Sequence, residues 1–579
     1  MTRRQSDQGR VLVLDGQFMS ALAITRSLGR QGIQVILASP EKDPIASRSR
    51  YVHAYHQYSD PSEDCAAFLD QVAGLIERYQ PDLVIPVTEK TLIPLSEQRK
   101  RFADLAVLAL PPADALVTVL DKQATAELAL SLQIPTPAGI VASDAAGLLD
   151  AAQQTGFPVV IKPIRSVSRQ TGAVGPQLTV TYAFDLDELQ RVARPLLEHG
   201  EVVIQEYFRG EGVGIELIAN KGEICYAFQH RRLHEMPLSG GGSSLRESTA
   251  ISPALLAAAK KLIAALNWQG VAMVEFKQNP ISGEFRLVEI NGRFWGSLPL
   301  SVAAGADFPL LAWELYTGRP LTALAPARAG VTCRDLAKDL YWHEYVVRRV
   351  TDSRLFSYPS KGRVLLGILG VFSPRHHFDS WNLRDLRPGL AELTRILGHY
   401  RDRIRSIVAH RAALKRQRKA WSQGDIKQQL ATAKNVLILC YGNINRSAAA
   451  HAYVAQKLKI GAAVNIVSAG FHPHAGRPSD PSMVATSAQQ GVDLQAFRSK
   501  MLTPELLAQS DIIFVMEIAH IERIAALDPE AVARCYLWGA ALDGADEGSI
   551  EIADPYGKPL EAYQRCFSQL TRAADRIFP

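Results

Sequence analysis

At 579 residues the chain is too long for a single core, and its length predicts about four structural units. Hydrophobic residues make up 47% and charged residues 21%, the usage of a folded protein and not of a disordered, collagen-like or disulfide-stapled one. A net charge of +6, from 64 basic against 58 acidic residues, is too mild to predict nucleic acid or membrane as a partner, and no nucleic-acid partner is expected.

Six widely spaced cysteines with no Cys-x-x-Cys pair argue against a zinc site or disulfide framework and fit reduced thiols in a cytoplasm. The charged start MTRRQSDQGR runs straight into VLVLD, so no export signal is expected. The longest apolar run, Val364 to Phe372, falls well short of the roughly 20 residues that cross a bilayer.

From Val11 strand and helix alternate: VLVLD, a small-residue helix over Met19 to Gln31, IQVILA, DLVIPV at 82 to 87 and LAVLAL at 105 to 110. Continuous apolar strands between amphipathic helices predict a parallel sheet covered on both faces, a Rossmann-like domain over 1–112. Its first turn, DGQFMS, lacks Gly-x-Gly-x-x-Gly, so the domain reads as structural. An α+β unit over 113–318 carries a helix around Asp121 to Leu132 and strands at 157 to 163, 201 to 207, 271 to 277 and 285 to 291.

Residues 319–434 carry no motif and turn basic. Between Arg395 and Lys419 lie nine Lys/Arg and one acid, Asp402, with apolar residues at helical spacing. That pattern predicts an amphipathic connector helix whose cationic face is either solvated or meets an anionic membrane weakly through 393–419. The stretch from Leu414 to Lys434 reads as a hinge, and 435–579 is long enough for a complete doubly wound α/β domain.

A nucleotide-dependent ligase needs cations for phosphates, a hinge for the base, an acceptor for the ribose and carboxylates for Mg²⁺. Residues 113–318 offer these in order: Lys122 at a helix start, Lys162 ending a buried strand, a Ser/Thr/Gly loop from Arg165 to Gly175, and the strand-end hinge Gln205 to Phe208. Glu211 follows, then Glu275 and Glu289 on strands of the VEF and VEIN type, with Asn291 on the face of Glu289. The ordered series DK, VIKP, QEYFRGE, VEF and VEINGR resembles the ATP-grasp superfamily, over roughly residues 1 to 318 and including the Rossmann-like domain.

The resemblance implies Lys122 and Lys162 on ATP phosphates, Glu206 and Tyr207 at adenine, Glu211 at ribose, Glu275, Glu289 and Asn291 on Mg²⁺, and Arg293 on the transferred phosphate. It also implies activation of a small-molecule carboxylate as an acyl phosphate that an amine or similar nucleophile attacks. His230-Arg-Arg and SGGGSSLRES at 239 to 248 are expected on the acceptor side, with Arg246 a clamp for an anionic substrate. The loop RSVSRQTGAVG is less glycine-rich than the family's phosphate lid.

At 440 to 447 the chain reads Cys-Tyr-Gly-Asn-Ile-Asn-Arg-Ser, between a buried strand and an alanine-rich helix. Five residues between Cys440 and Arg446 let the loop curl so that its N–H groups and the guanidinium surround one phosphate at a helix N-terminus. The same field favours the Cys440 thiolate, and Asp554 in IADPYG is a suitable proton donor to a leaving oxygen.

With SAGF at 468 to 471, SDIIFVME at 510 to 517 and DPYGKPLEAYQRCFSQL from 554, this unit resembles the low-molecular-weight protein tyrosine phosphatases. The resemblance implies Cys440 as nucleophile, Arg446 as transition-state clamp, Asp554 as acid then base, Asn443 bracing the loop, Ser447 stabilising the thiolate, and no cofactor. Asn445 stands where that family often has a second cysteine, and Ala448 where proline is common.

The whole chain then reads as a bifunctional cytoplasmic enzyme: an ATP- and Mg²⁺-dependent carboxylate–amine ligase joined to a hydrolase acting on a phosphorylated protein or metabolite. Two alternatives are an ATP-sensing module that controls a phosphatase, and an arsenate reductase-like last domain.

Overall fold

The computed structural model of the chain describes residues 9–163, 169–170, 173–174, 180–197, 200–457, 464–542 and 549–579. The chain forms two compact units, one ending at Ile396 and one spanning Leu397–Pro579. Among the described residues no helix is long and apolar enough to cross a membrane.

The first unit opens with β1 (Arg10–Val13), β2 (Gln34–Ser39), β3 (Val52–Gln57), β4 (Leu83–Ile85) and β5 (Val107–Leu108), a parallel sheet in the order β3-β2-β1-β4-β5. The unbroken apolar runs Val11–Leu14 and Val35–Ala38 are buried because helices cover both faces. Where a dinucleotide fold would place glycines, Asp15 adopts φ 58° and is buried. Its carboxylate accepts from the Val87 and Thr88 amides at 3.0 and 2.8 Å and from Thr91 Oγ1 at 2.6 Å, tying the end of β1 to the turn after β4.

Next come β6 (Gly139–Ala142), β7 (Val159–Pro163), β8 (Arg169–Gln170), β9 (Ala173–Val174), β10 (Thr181–Ala183) and β11 (Val202–Glu206). Four of them form an antiparallel sheet, β10-β7-β11-β6, while β8 and β9 pair only with each other. A larger sheet holds β12 (Glu211–Asn220), β13 (Glu223–Met236), β14 (Gly242–Thr249), β15 (Gly270–Gln278), β16 (Phe285–Asn291), β17 (Thr332–Arg334) and β18 (His376–Phe378). Its order is β16-β15-β12-β13-β14-β17-β18, antiparallel except for the last pair.

The segment expected as a helical connector over 319–434 therefore divides differently. Its first part supplies β17 and β18 to the large sheet, and buried ion pairs hold the stretch just after β18. Asp379 meets Arg246 at 2.5 Å and Asp385 meets Arg26 at 2.9 Å, all four side chains almost sealed from solvent. Three-residue strands and charges whose partners lie more than 130 positions away leave no periodic trace in sequence.

The helix expected over 393–419 spans Arg387–Ser422. The expected hinge after it is no hinge: Ile426 is buried in the core of the second unit, and Leu414, Trp421 and Leu430 pack against that core. A stretch rich in Gln and Lys hides this anchoring because a few apolar positions carry all of it.

The second unit contains β19 (Asn435–Cys440), β20 (Asn465–Gly470), β21 (Ile512–Val515) and β22 (Cys535–Leu537), parallel in the order β20-β19-β21-β22. The Gln417 carboxamide caps the free edge of β22, accepting from the Leu537 amide at 2.9 Å and donating to the Cys535 carbonyl at 3.3 Å.

Candidate active sites

The phosphate loop runs from the end of β19 into the helix Arg446–Lys457. Asn443 holds φ 51°, and its carboxamide is fixed from both ends. Its Oδ1 accepts from the Lys500 amide at 2.7 Å, which directs Nδ2 to Ser447 Oγ at 2.8 Å and Ser468 Oγ at 3.1 Å. Ser447 Oγ, which accepts that bond, lies 3.0 Å from Cys440 Sγ and 3.4 Å from the Ala469 carbonyl oxygen. The Asn443 amide donates to Cys440 Sγ at 3.2 Å, so an N–H and a hydroxyl both meet the sulfur. Gly470 sits beneath the loop, and a Cβ there would lie 2.7 Å from the Tyr441 carbonyl oxygen, so only glycine permits the approach.

Arg446 is buried and donates to the Ile552 carbonyl at 2.9 Å and to Asp554 Oδ2 at 2.6 Å, with Glu517 at 3.1 Å. Burial would lower its pKa, but Cys440, Asp554 and Glu517 outweigh burial and hold it above the ordinary value. His520 beside it is pushed down to about 3 by burial and by the charges of Arg446 and Arg523, which leaves a neutral wall. All five expected residues, Cys440, Asn443, Arg446, Ser447 and Asp554, thus come together. Sequence reasoning missed Glu517, Lys500 and Arg477, whose guanidinium donates to the Gly442 carbonyl at 2.6 Å. Lys500 and Gly442 act through backbone atoms, which leave no side-chain signal.

In the first unit the two antiparallel sheets bring a second set together. Lys162 on β7 donates to Gln205 Oε1 on β11 at 2.7 Å. Burial and then Lys122 push Lys162 down to about 8, against the pull of Glu289 and Glu275. Glu275 and Glu289 pair directly across β15 and β16. Burial raises the Glu275 carboxyl, Arg232 opposes this at 2.5 Å, and the Glu289 charge adds to it. Asn291 spends its amino group on Glu289 Oε1 at 3.0 Å and keeps its carbonyl oxygen as an acceptor.

This donor set suits a hard dication: two carboxylates and a carboxamide oxygen, with phosphates to complete the shell. Among the described residues no group of three or more His, Cys, Asp or Glu is placed to hold a metal.

The remaining expectations scatter. Tyr207 meets Tyr182 edge-on at 5.8 Å, and the Glu206 amide donates to the Ala138 carbonyl at 2.8 Å, so both lie at the strand-end hinge. Arg293 reaches Glu89 of the Rossmann-like domain at 2.8 Å. Glu211 is not brought into the cluster. It registers with Gln278, one residue out of phase with Lys277 and Glu275, so it faces the other side of the sheet. There it lies 3.6 Å from Arg231 and lines a cavity of about 440 Å³ with Glu247 and Gln229. Arg246, the expected anion clamp, is sealed against Asp379. Most of the expected lid, 165 to 175, lies outside the described residues. Sequence reasoning also missed Glu235, which meets Arg232 and Lys277 at 3.4 Å each.

The family model for the low molecular weight phosphotyrosine protein phosphatase matches residues 435–578. The probable low molecular weight protein-tyrosine-phosphatase EpsP of Ralstonia nicotianae is 33% identical over 146 residues, which cover 94% of that protein and 25% of this chain. The chain belongs to the low-molecular-weight protein-tyrosine-phosphatase family. The family's Etp of Escherichia coli K12 is 31% identical over 140 residues, 89% of its length and 24% of this chain.

Residues 198–338 match the family model for the ATP-grasp in the biosynthetic pathway with Ter operon. Solved structures similar to the chain include N5-carboxyaminoimidazole synthetase from Staphylococcus aureus, at 16% identity and a TM-score of 0.46, covering 60% of this chain and 89% of that one. Another is biotin carboxylase from Campylobacter jejuni, at 15% identity and a TM-score of 0.45, covering 56% and 74%. The chain thus joins an ATP-grasp, ligase-like domain to a phosphatase domain of the tyrosine-phosphatase type, an enzyme domain of each kind.

Proposed function

We propose that the second unit hydrolyses phosphomonoesters, phosphotyrosine among them, through a cysteinyl-phosphate. The convergence of Ser447, the Asn443 amide and Arg446 on Cys440 supports this reading. The Cys440 thiolate attacks phosphorus, the P–O bond to the leaving group breaks, and Asp554 protonates the departing oxygen. Water then attacks phosphorus, Asp554 takes its proton, the P–S bond breaks, and the thiolate is restored. Arg446, now held by Asp554 and Glu517, turns to the phosphoryl oxygens as substrate enters, which frees Asp554 for the leaving group. Cys535 and Cys566 are buried and pushed up to about 12, chiefly by desolvation, so neither offers a thiolate to resolve an arsenate-bearing Cys440.

For the first unit the reading is an ATP-dependent ligase that activates a small-molecule carboxylate as an acyl phosphate for an amine or similar nucleophile. Lys122 and Lys162 would hold phosphates, Glu206 and Tyr207 the adenine, and Glu275, Glu289 and Asn291 Mg²⁺, which supplies charge neutralisation at the transferred phosphoryl group. Arg293 is proposed for the transferred phosphate and must leave Glu89 to reach it. Glu211 faces the wrong side of the sheet to reach a ribose beside this cluster, and Glu235 is the better-placed carboxylate. The test is incubation with ATP, Mg²⁺ and a panel of acids and amines, read by mass spectrometry. ADP together with a condensed product supports the reading, and ATP left intact with every pair overturns it.

A further inference from the structure

In the first unit the helix Lys361–Leu369 and the turn Gly370–Phe372 form the longest apolar run of the chain, yet not one residue of either is buried. The helix is held along one narrow stripe. Val364 packs against the small cluster of Leu238, Trp342 and Val346, and one turn on Arg334 donates to the Gly367 carbonyl at 2.9 Å. Positions off that stripe point outward: Leu365, Leu366, Ile368, Leu369 and Phe372 are 45–83% exposed. Five large apolar side chains within eight residues are a contiguous patch, unlike the single apolar residues scattered on any surface.

The surrounding charge identifies the partner. From Leu355 to Phe378 the chain has no Asp or Glu, while Lys361, Arg363 and Arg375 flank the apolar run and are exposed. A second copy seated on this face would bring like charges together, because a two-fold contact meets the same patch on both sides. An acidic protein groove would engage one stripe, whereas here the apolar residues cover most of the helix surface. A broad apolar face rimmed by cations suits the interface of an anionic bilayer.

We propose that residues 361–375 form a peripheral membrane contact, in which Leu365, Leu366, Leu369 and Phe372 enter the acyl boundary and Lys361, Arg363 and Arg375 meet anionic phospholipid headgroups. The residues of this contact are other than those of the two sites and other than the cationic helix Arg387–Ser422, where the sequence pattern suggested a membrane contact.

The full-length protein is sedimented with vesicles of phosphatidylcholine alone or mixed with phosphatidylserine. Binding is expected only to the mixed vesicles, weakening as salt rises. The double variant Leu366→Ser/Phe372→Ser is expected to lower the partition coefficient by about tenfold or more, and Lys361→Ser/Arg363→Ser by about tenfold. Because these side chains are exposed, aryl-phosphate hydrolysis and thermal unfolding should match the parent, and Leu369→Ser alone serves if the double variant misfolds. Three results overturn the proposal: no binding to either vesicle, binding indifferent to these variants but lost on Arg401→Glu/Arg405→Glu, or a dimer in sedimentation velocity that Phe372→Ser dissociates.

Discussion

Asn443 occupies backbone space that costs an L-residue about 1 kcal/mol, and its three side-chain hydrogen bonds offset that cost. Asn443→Ala keeps the strained φ and strands the Lys500 amide and the Ser447 hydroxyl. It should destabilise the phosphatase unit by about 2 kcal/mol or more, seen as a melting point lower by several degrees, and slow hydrolysis as Ser447 loses its orientation. Asp554→Asn should slow esters with poor leaving groups by about 10²–10⁴ and those with good ones far less, since only the former need the proton. Equal slowing across a leaving-group series would remove Asp554 from that role. Within this site the local part was legible: the spacing from Cys440 to Arg446 and the hydroxyl of Ser447 read directly. The clasp by Glu517, the brace from Lys500 and the tie from Arg477 were not, because each depends on a loop brought in by the fold.

Glu392 gives a pH signature. Burial raises its carboxyl to about 7 from an ordinary 4.5, with Asp335 and Asp379 adding to the effect against the Ser380 hydroxyl. Between those two values the folded chain binds the proton more tightly than the unfolded one, so stability falls as pH rises through that window. The contribution is at most about 3 kcal/mol, and Glu392→Gln should flatten the decline in the melting of the first unit between pH 5 and 7.5.

At the scale of elements, the sequence pattern was strongest where one face is continuous. β1, β2, β15 and β16 fall within a residue or two of their expected bounds, and the helix Arg387–Ser422 contains the expected amphipathic span. It was weakest for β17 and β18, whose three residues each cannot show a period of two, and for the supposed hinge, where Ile426 anchors a polar stretch. The last turns of the long helix belong to the phosphatase unit. His410 meets Glu551 at 3.0 Å, Glu551 accepts from the Ile518 amide at 2.8 Å, and these two loops are the ones that hold Arg446 through Ile552 and Glu517. A fragment from Leu397 to Pro579 should therefore fold and hydrolyse aryl phosphate. One starting at Asn435 loses Ile426, Trp421 and the Gln417 cap on β22, and should be less stable by about 3 kcal/mol or more in urea unfolding. Equal midpoints for the two fragments would show the helix to be dispensable.

For the whole molecule, the described residues of each set of chemical groups lie within one unit. Among the described residues the phosphate loop draws its partners from 440 to 554, and the Lys162, Glu275 and Glu289 cluster draws its own from the first unit. Family resemblance pointed to Cys440, Asn443, Arg446, Ser447 and Asp554 and to Lys162, Glu275 and Glu289, which the fold brings near one another. The outward turn of Glu211 and the sealing of Arg246 by Asp379 were not readable, because strand register and a partner 133 residues away decide them. The account predicts two chemically separate centres on one chain. The most direct test measures ADP formation, with a competent acid and amine, and aryl-phosphate hydrolysis side by side on full-length Glu289→Gln and Cys440→Ser. Glu289→Gln should lose ADP formation and keep hydrolysis at the parent rate, and Cys440→Ser should do the reverse. Hydrolysis silenced by Glu289→Gln would contradict the account and make the first unit a nucleotide sensor that governs the phosphatase.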